Sequence, residues 1–144
     1  MNTFEFTVEE KSQLERVGTA AVILFGSHAQ GVQGPMSDVD IGVLLNNARA
    51  ANDPQQRGHL YDALYDILSP VVARVVKRLC DIDIVFLQNE EVSLQLKYHV
   101  AKYGTELFKK DPRAFADFKE YVMERYMDFA PLRRMFTEAI LARV

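Results

Sequence analysis

Two pairs of aspartates stand at the starts of two apolar segments. Asp38 and Asp40 precede "IGVLL", and Asp81 and Asp83 precede "IVFL". Successive side chains of a β-strand point to opposite faces of a sheet, so the two members of each pair share a face. If the two strands are neighbours, three or four carboxylates meet in a small volume. Two unit charges about 4 Å apart repel by about 4 kcal/mol at an effective dielectric constant of about 20, so such a cluster favours a bound cation.

Carboxylate clusters of this kind suit Mg²⁺ or Mn²⁺ better than zinc. Mg²⁺ takes one or two carboxylates and completes its coordination shell with water and substrate phosphate. Two such ions can hold the attacking and leaving oxygens of an in-line phosphoryl or nucleotidyl displacement. The aspartates therefore predict a two-metal site that acts on a phosphate. Asp81 stays a second choice, because a residue at the very start of a strand is also well placed to face solvent.

A Gly-Ser pair, Gly26-Ser27, follows the apolar run "TAAVILF". Glycine lets the backbone turn and approach a ligand closely. Ser27 opens a short helix predicted at 28–31, and a helix N-terminus offers free N–H groups and a positive dipole end to a phosphate. Each feature alone is common in structural roles. The order of the whole set, a strand, Gly-Ser, Asp-x-Asp and a later Asp-bearing strand, predicts a nucleotide site.

Apolar alternation and helical spacing predict the elements that position these residues. The predicted strands are 19–25, 37–45 and 80–87, with a possible short strand at 105–108. The predicted helices are 8–17, 55–68, 90–103 and a C-terminal helix that opens at Asp111 and Pro112. The Thr7–Glu10 segment has the form of a capping box. Pro70 is expected to interrupt the second helix, and 46–54 to be a loop. The fold class is α/β (α+β), a small mixed sheet flanked by helices with a C-terminal helical tail.

Composition limits the function classes that remain. The 144 residues suffice for one domain, and a net charge of −3 with a pI of about 5.6 argues against a general binder of nucleic acid. The one cysteine, Cys80, forms no internal disulfide and no CxxC pair, which fits a reducing cytoplasm. No apolar run approaches the roughly 18 residues of a membrane span, and the first residues lack the pattern of a signal peptide.

At these residues the chain resembles the nucleotidyltransferase superfamily related to DNA polymerase beta. That superfamily's signature is an hG[GS] turn, a D-x-[DE] strand and an acidic residue on a later strand; Gly26-Ser27, Asp38-x-Asp40 and Asp83 stand at those positions. Within it the chain resembles the minimal nucleotidyltransferases, MNT antitoxins paired with HEPN-domain ribonuclease toxins. "IDIVFLQNEEVSLQLKYHVAKYGTELF" and the tail "ERYMDFAPL" are similar to stretches of that branch.

The resemblance implies a Mg²⁺-dependent enzyme, with Mn²⁺ also possible, that transfers AMP from ATP to a tyrosine of the toxin and so silences it. Asp38 and Asp40 would bind the two metal ions. Asp83 would complete the metal site and help to activate the incoming hydroxyl, and Gly26 and Ser27 would hold the β- and γ-phosphates. The partners implied are ATP and a HEPN toxin in a hetero-oligomer, with no nucleic acid and no membrane.

The chain departs from the family after the Gly-Ser pair. Family members often carry arginines at the positions of His28 and Gln30, so two cations that could bind phosphate are missing here. The acidic triad is intact, which favours an active enzyme.

The predicted division of the chain is a nucleotidyltransferase domain at 1–110 and a helical tail at 111–144 that packs on it and binds the partner. The tail has more large apolar and aromatic groups than one core stripe needs, and Tyr and Met are favoured at interfaces. These groups are Phe115, Phe118, Tyr121, Tyr126, Met127, Phe129, Met135 and Phe136.

Two other functions remain open. A non-catalytic antitoxin would neutralise its toxin by binding alone. A transferase that modifies a small-molecule hydroxyl usually carries a larger C-terminal acceptor domain than residues 111–144 provide. A protein acceptor therefore fits this short chain better.

Overall fold

A computed structural model describes residues 4–26, 29, 38–76 and 81–127. Its centre is one four-stranded sheet in the order β3-β2-β1-β4. The strands are β1 (Thr19–Phe25), β2 (Val39–Leu45), β3 (Ile82–Phe86) and β4 (Thr105–Lys109). β1 pairs antiparallel with β2 and β4, whereas β2 and β3 are parallel. The predicted mixed sheet and α+β class are confirmed, including the short fourth strand.

Helices cover both faces of this sheet. They are α1 (Val8–Arg16), α2 (Pro54–Val76), α3 (Leu94–Tyr103) and α4, residues 114–127. The predicted capping box opens α1, since the Glu10 N–H donates to Thr7 Oγ1 at 3.1 Å and the Thr7 N–H donates to Glu10 Oε1 at 2.9 Å. The segment predicted as a loop at 46–54 contains a 3₁₀ helix, Ala48–Asn52. α3 begins later than predicted, because Ser93 caps it.

The alternating side chains of the strands divide the core into two layers. On one face of the sheet, Val39, Ile41 and Val43 of β2 pack with residues of α1 and α2. On the other face, Leu44 of β2 packs with residues of α3 and α4. The even-numbered residues of β2, which include Asp40, therefore belong to the face that α3 and α4 cover.

α2 continues through Pro70, so the predicted interruption is wrong. A proline inside a helix loses one backbone hydrogen bond and costs about 3 kcal/mol. The residues on both sides are held in the core: Leu68 is fully buried, and Val71 and Val72 are 1% and 2% exposed. Because burying each such side chain contributes about 1.5–3 kcal/mol, tertiary packing outweighs the local penalty.

The C-terminal helix starts near its predicted cap. The Arg113 N–H donates to Asp111 Oδ1 at 3.0 Å, and regular helix begins at residue 114. Phe115 and Phe118 are buried against the sheet, so part of the aromatic stripe belongs to the core. Tyr121 and Met127 are exposed. The predicted partner residues Phe129, Met135 and Phe136 lie outside the described residues.

A bidentate ion pair joins α1 to α2 and gives a prediction for pH dependence. Arg74 donates to both carboxylate oxygens of Glu10, at 2.6 and 3.0 Å. The hydrogen bond from Arg74 is the main reason that the pKa of Glu10 lies below its usual value. This stability is present above the unfolded-state pKa, about 4.3, and is lost as the pH falls through the lower folded-state pKa. Glu10→Gln keeps the capping acceptor but removes the charge, so we expect a small loss of stability near neutral pH that disappears in acid.

Urea denaturation of both proteins at neutral pH and near pH 3 measures this effect. A loss of equal size at both pH values would show that the substitution acts through packing rather than through the charge of Glu10.

Candidate active site

Two aspartates of neighbouring strands lie side by side. Asp40 of β2 is the register partner of Asp83 of β3 in the parallel pair. Neighbouring strands are about 4.8 Å apart, so the two carboxylates start from adjacent backbone positions on the same face of the sheet. The sequence predicts that these carboxylates meet if their strands are neighbours, and the register shows that the strands are neighbours.

Asp38 and Asp81 flank this pair where the two strands begin. The Val39 N–H donates to the Asp81 carbonyl oxygen at 3.1 Å, which ties the two strand starts together. The Asp38, Asp81 and Asp83 side chains are exposed, whereas Asp40 is half-buried. The half-buried Asp40 thus has exposed carboxylates on its own strand and on the neighbouring strand.

Gly26 brings the end of β1 against Asp40. Phe25, the last residue of β1, is the register partner of Asp40, and Gly26 follows with a φ of +77°. A Cβ at Gly26 would collide with the Asp40 carboxylate, so only glycine allows this close approach. The turn that sequence analysis assigned to phosphates therefore lies directly beside the predicted metal ligands. Ser27, His28 and Gln30 lie outside the described residues, and of the helix predicted at 28–31 the structure describes Ala29 alone, as helical.

The donor set is suited to a magnesium ion that shares its shell with a substrate. Asp38, Asp40 and Asp83 offer only carboxylate oxygens, and Mg²⁺ takes few of these together with water and phosphate. Within residues 4–26, 29, 38–76 and 81–127, no three His, Cys, Asp or Glu side chains are grouped closely enough to hold a metal ion in this structure. A bound ion and its phosphate ligands would therefore have to draw the three carboxylates together.

Sequence analysis did not identify Tyr61, which lies at the outer edge of β3. The Tyr61 side chain lines a surface pocket together with Ile84 and Val85 of β3, and its ring stacks on Tyr65 with centroids 6.3 Å apart. Burial raises the pKa of Tyr61, and the negative charge of Asp83 raises it further. The helical spacing of Leu60 and Leu64 predicts a helix that contains Tyr61, but it gives no sign that Tyr61 lies near a carboxylate. Its position near the third carboxylate follows from the packing of α2 on β3, which no local pattern reveals.

Comparisons with solved structures support the same fold. The chain is 24% identical to a chain of "the toxin-antitoxin with AMP-PNP", with a TM-score of 0.65, and the match covers 94% of this chain and 99% of that one. It is 23% identical to a chain of a mutant of the toxin–antitoxin MntA–HpeT, with a TM-score of 0.63, covering 90% and 93%. It is 17% identical to a chain of the tri-AMPylated Shewanella oneidensis HEPN toxin in complex with MNT antitoxin, with a TM-score of 0.58, covering 92% and 97%.

Sequence comparison assigns the family. A search among curated protein sequences gave no significant match. Of the helices in the described part of the chain, none combines the length and the apolar character needed to cross a bilayer. The sequence profile of the family described as "Polymerase beta, Nucleotidyltransferase" matches residues 11–113, a span that contains the Gly26 turn and all the aspartates of the site. This chain belongs to the polymerase beta nucleotidyltransferase family, as its motifs predict.

Proposed function

We propose that this protein is a Mg²⁺-dependent adenylyltransferase antitoxin that transfers AMP from ATP to a tyrosine hydroxyl of a HEPN ribonuclease toxin and thereby neutralises it. The observation that carries this proposal is the pairing of Asp40 with Asp83 beside Gly26, in a member of a nucleotidyltransferase family. The proposal places the pair in the cytoplasm, where ATP is available.

The acceptor class is supported by what the similar structures contain. One is a toxin–antitoxin with a bound ATP analogue, AMP-PNP, and another is an AMPylated HEPN toxin in complex with an MNT antitoxin. The matches extend over at least 92% of this chain in both cases, so the fold shared with these proteins includes more than the catalytic strands.

The chemistry is an in-line displacement at the α-phosphorus of ATP. The tyrosine oxygen forms a new P–O bond, the bond between the α- and β-phosphates breaks, and pyrophosphate leaves. Asp83 accepts the phenolic proton, while the backbone at Gly26 and Ser27 binds the β- and γ-phosphates. Asp38, Asp40 and Asp83 would hold Mg²⁺, which, when bound, neutralises the charge that develops on the phosphate oxygens.

A non-catalytic antitoxin is the second candidate. It is favoured by His28 and Gln30, which stand where related proteins often have arginines that could bind phosphate. In that case the toxin would be neutralised by occlusion, and the carboxylates would not be needed for protection.

Intact-mass spectrometry of the toxin separates the two candidates. A HEPN-domain protein co-expressed with this chain is incubated with it, Mg²⁺ and ATP. We expect the HEPN protein to gain the mass of one or more AMP groups, and no gain with the Asp38→Asn variant, whose side chain keeps its shape but loses its charge. A stable complex with an unchanged HEPN mass would contradict the enzymatic proposal and support the binding-only antitoxin.

A further inference from the structure

Two grooves lie at the end of the sheet opposite the carboxylates, and Tyr121 of α4 forms a wall of both. The first groove has a volume of about 370 Å³, and its lining includes Ala20, Leu45, Asp111 and Asp117. The second has a volume of about 340 Å³ and lies between the start of α3 and α4. Its lining residues are Glu90, Val92, Leu94, Lys97, Tyr121 and Arg125. We call the two grooves and the residue between them the Tyr121 surface.

The first groove of the Tyr121 surface lies at the opposite end of β1 and β2 from the catalytic residues. Ala20 is near the start of β1 and Leu45 is the last residue of β2, whereas Gly26 follows the end of β1 and Asp40 lies near the start of β2. A strand rises about 3.3 Å per residue, so Asp40 and Leu45 are roughly 17 Å apart along the strand. A molecule that occupies the first groove would therefore leave the catalytic carboxylates open.

The two grooves carry opposite charges. The first has the carboxylates of Asp111 and Asp117. The second has two cations, Lys97 and Arg125, and one carboxylate, Glu90. A ligand that fits both must present a cation to one groove and an anion to the other. A nucleic acid backbone would bring its phosphates against Asp111 and Asp117, so a protein surface with charges of both signs is the complementary partner.

Lys97 forms no salt bridge within the described part of the chain, and Glu90 acts on it only through its charge. The salt bridges there join Arg74 to Glu10 and Lys110 to Glu15, and none reaches Lys97. Burial lowers the pKa of Lys97; Glu90 opposes this shift and Arg125 adds to it. A carboxylate brought by another molecule would stabilise this half-buried ammonium group, because an opposite charge nearby favours the charged form.

Contacts within the chain hold several groups of the Tyr121 surface. Tyr121 is 50% exposed, and the Arg125 guanidinium lies 4.9 Å from its ring centroid. At the floor of the first groove, the Gln88 side chain accepts from the Leu45 N–H at 2.7 Å and donates to the Leu45 carbonyl at 2.9 Å. Tyrosine and arginine dominate the residues that carry binding energy at protein interfaces. A fixed arrangement of such groups lowers the entropy that binding costs.

We infer that the Tyr121 surface is the docking site for the protein acceptor, with an acidic side chain of the acceptor against Lys97 and Arg125 and a basic one against Asp111 and Asp117. This inference rests on the proposed function, because it requires a protein acceptor. It assigns recognition to two separate places. The tyrosine hydroxyl reaches the carboxylates at one end of the sheet, while the body of the acceptor is held at the other end.

Two variants and two matched controls test this docking site. Lys97→Glu reverses a groove charge, and Lys11→Glu makes the same charge change on the exposed surface of α1. Tyr121→Ala removes the shared wall, and Tyr103→Ala removes a tyrosine of similar exposure, 46%, outside both grooves. The probe is the HEPN-domain protein co-expressed with this chain, and calorimetry gives the Kd while AMP transfer gives KM and kcat.

We expect Lys97→Glu and Tyr121→Ala each to raise the Kd and the KM for the HEPN protein by about tenfold or more. The KM for ATP, and kcat at saturating HEPN protein, should stay unchanged, since neither Lys97 nor Tyr121 belongs to the catalytic site. Effects no larger than those of the control variants would overturn the docking site. A homodimer of the isolated chain that Lys97→Glu dissociates would also overturn it, because the surface would then join two copies.

The outcomes distinguish this inference from the proposed function. If the wild-type protein transfers AMP and the groove variants behave like their controls, the enzyme stands and the docking site is wrong. If the wild-type protein binds the HEPN protein without modifying it, the enzymatic proposal fails, and the Kd values of the variants still decide the docking site. No binding by the wild-type protein would overturn both.

Discussion

Asp40→Asn is expected to lower the rate of AMP transfer by roughly 10³-fold or more, about 4 kcal/mol in activation free energy. Asparagine has the shape of aspartate but carries no charge, so it cannot hold a divalent cation against the phosphates. Asp40 is the half-buried member of the cluster, with Asp83 beside it on β3 and Gly26 against its carboxylate. Its loss should therefore disturb the centre of the site. Initial rates of pyrophosphate release, at saturating ATP and HEPN protein, measure the effect.

The control for this prediction is Asp62→Asn. Asp62 is an exposed residue of α2, so its replacement removes the same charge without touching the sheet. Both variants should keep the thermal stability of the parent to within a few degrees and should bind the HEPN protein. Asp40→Asn activity above about a tenth of the parent's would contradict a metal-binding role for Asp40.

Local sequence predicted the face that the aspartates share, because strand alternation is a local property. The sequence predicted that Asp40 and Asp83 meet only if their strands are neighbours, and no local pattern shows that they are. The parallel pairing of β2 with β3 requires the crossover through α2, and the register that puts Asp40 next to Asp83 is fixed by the burial of Ile41 and Ile84 on the opposite face. A shift of β3 by one residue would turn Asp83 to the opposite face, away from Asp40.

Long-range packing explains what the sequence did not predict. Pro70 carries a strong local signal for a helix break, yet buried residues on both sides of it keep α2 continuous. The helical spacing of Phe115, Phe118 and Val122 predicted a stripe on α4, which is buried. The spacing alone could not show that Tyr121 faces two grooves of opposite charge, because those grooves are formed with residues of β2 and α3.

Gly26→Ala should impair both stability and catalysis, and Gly18→Ala separates the two effects. Both glycines have a left-handed backbone, with φ of +77° at Gly26 and +82° at Gly18. Alanine in this region costs roughly 1–2 kcal/mol, so we expect both variants to lose about that much stability in urea denaturation. A Cβ at Gly18 meets no atom within 4 Å, whereas a Cβ at Gly26 collides with the Asp40 carboxylate.

Only Gly26→Ala should therefore displace a catalytic group. A shift of about 1 Å in a reacting group can slow a reaction by about 10²-fold, and we expect a loss of that size in AMP transfer per folded molecule. Gly18→Ala should keep the parent's activity once the folded fraction is taken into account. If both variants lost the same stability and neither lost activity, Asp40 could move away from the added methyl group without consequence. The close contact between Gly26 and Asp40 would then be a feature of the turn rather than a requirement of catalysis.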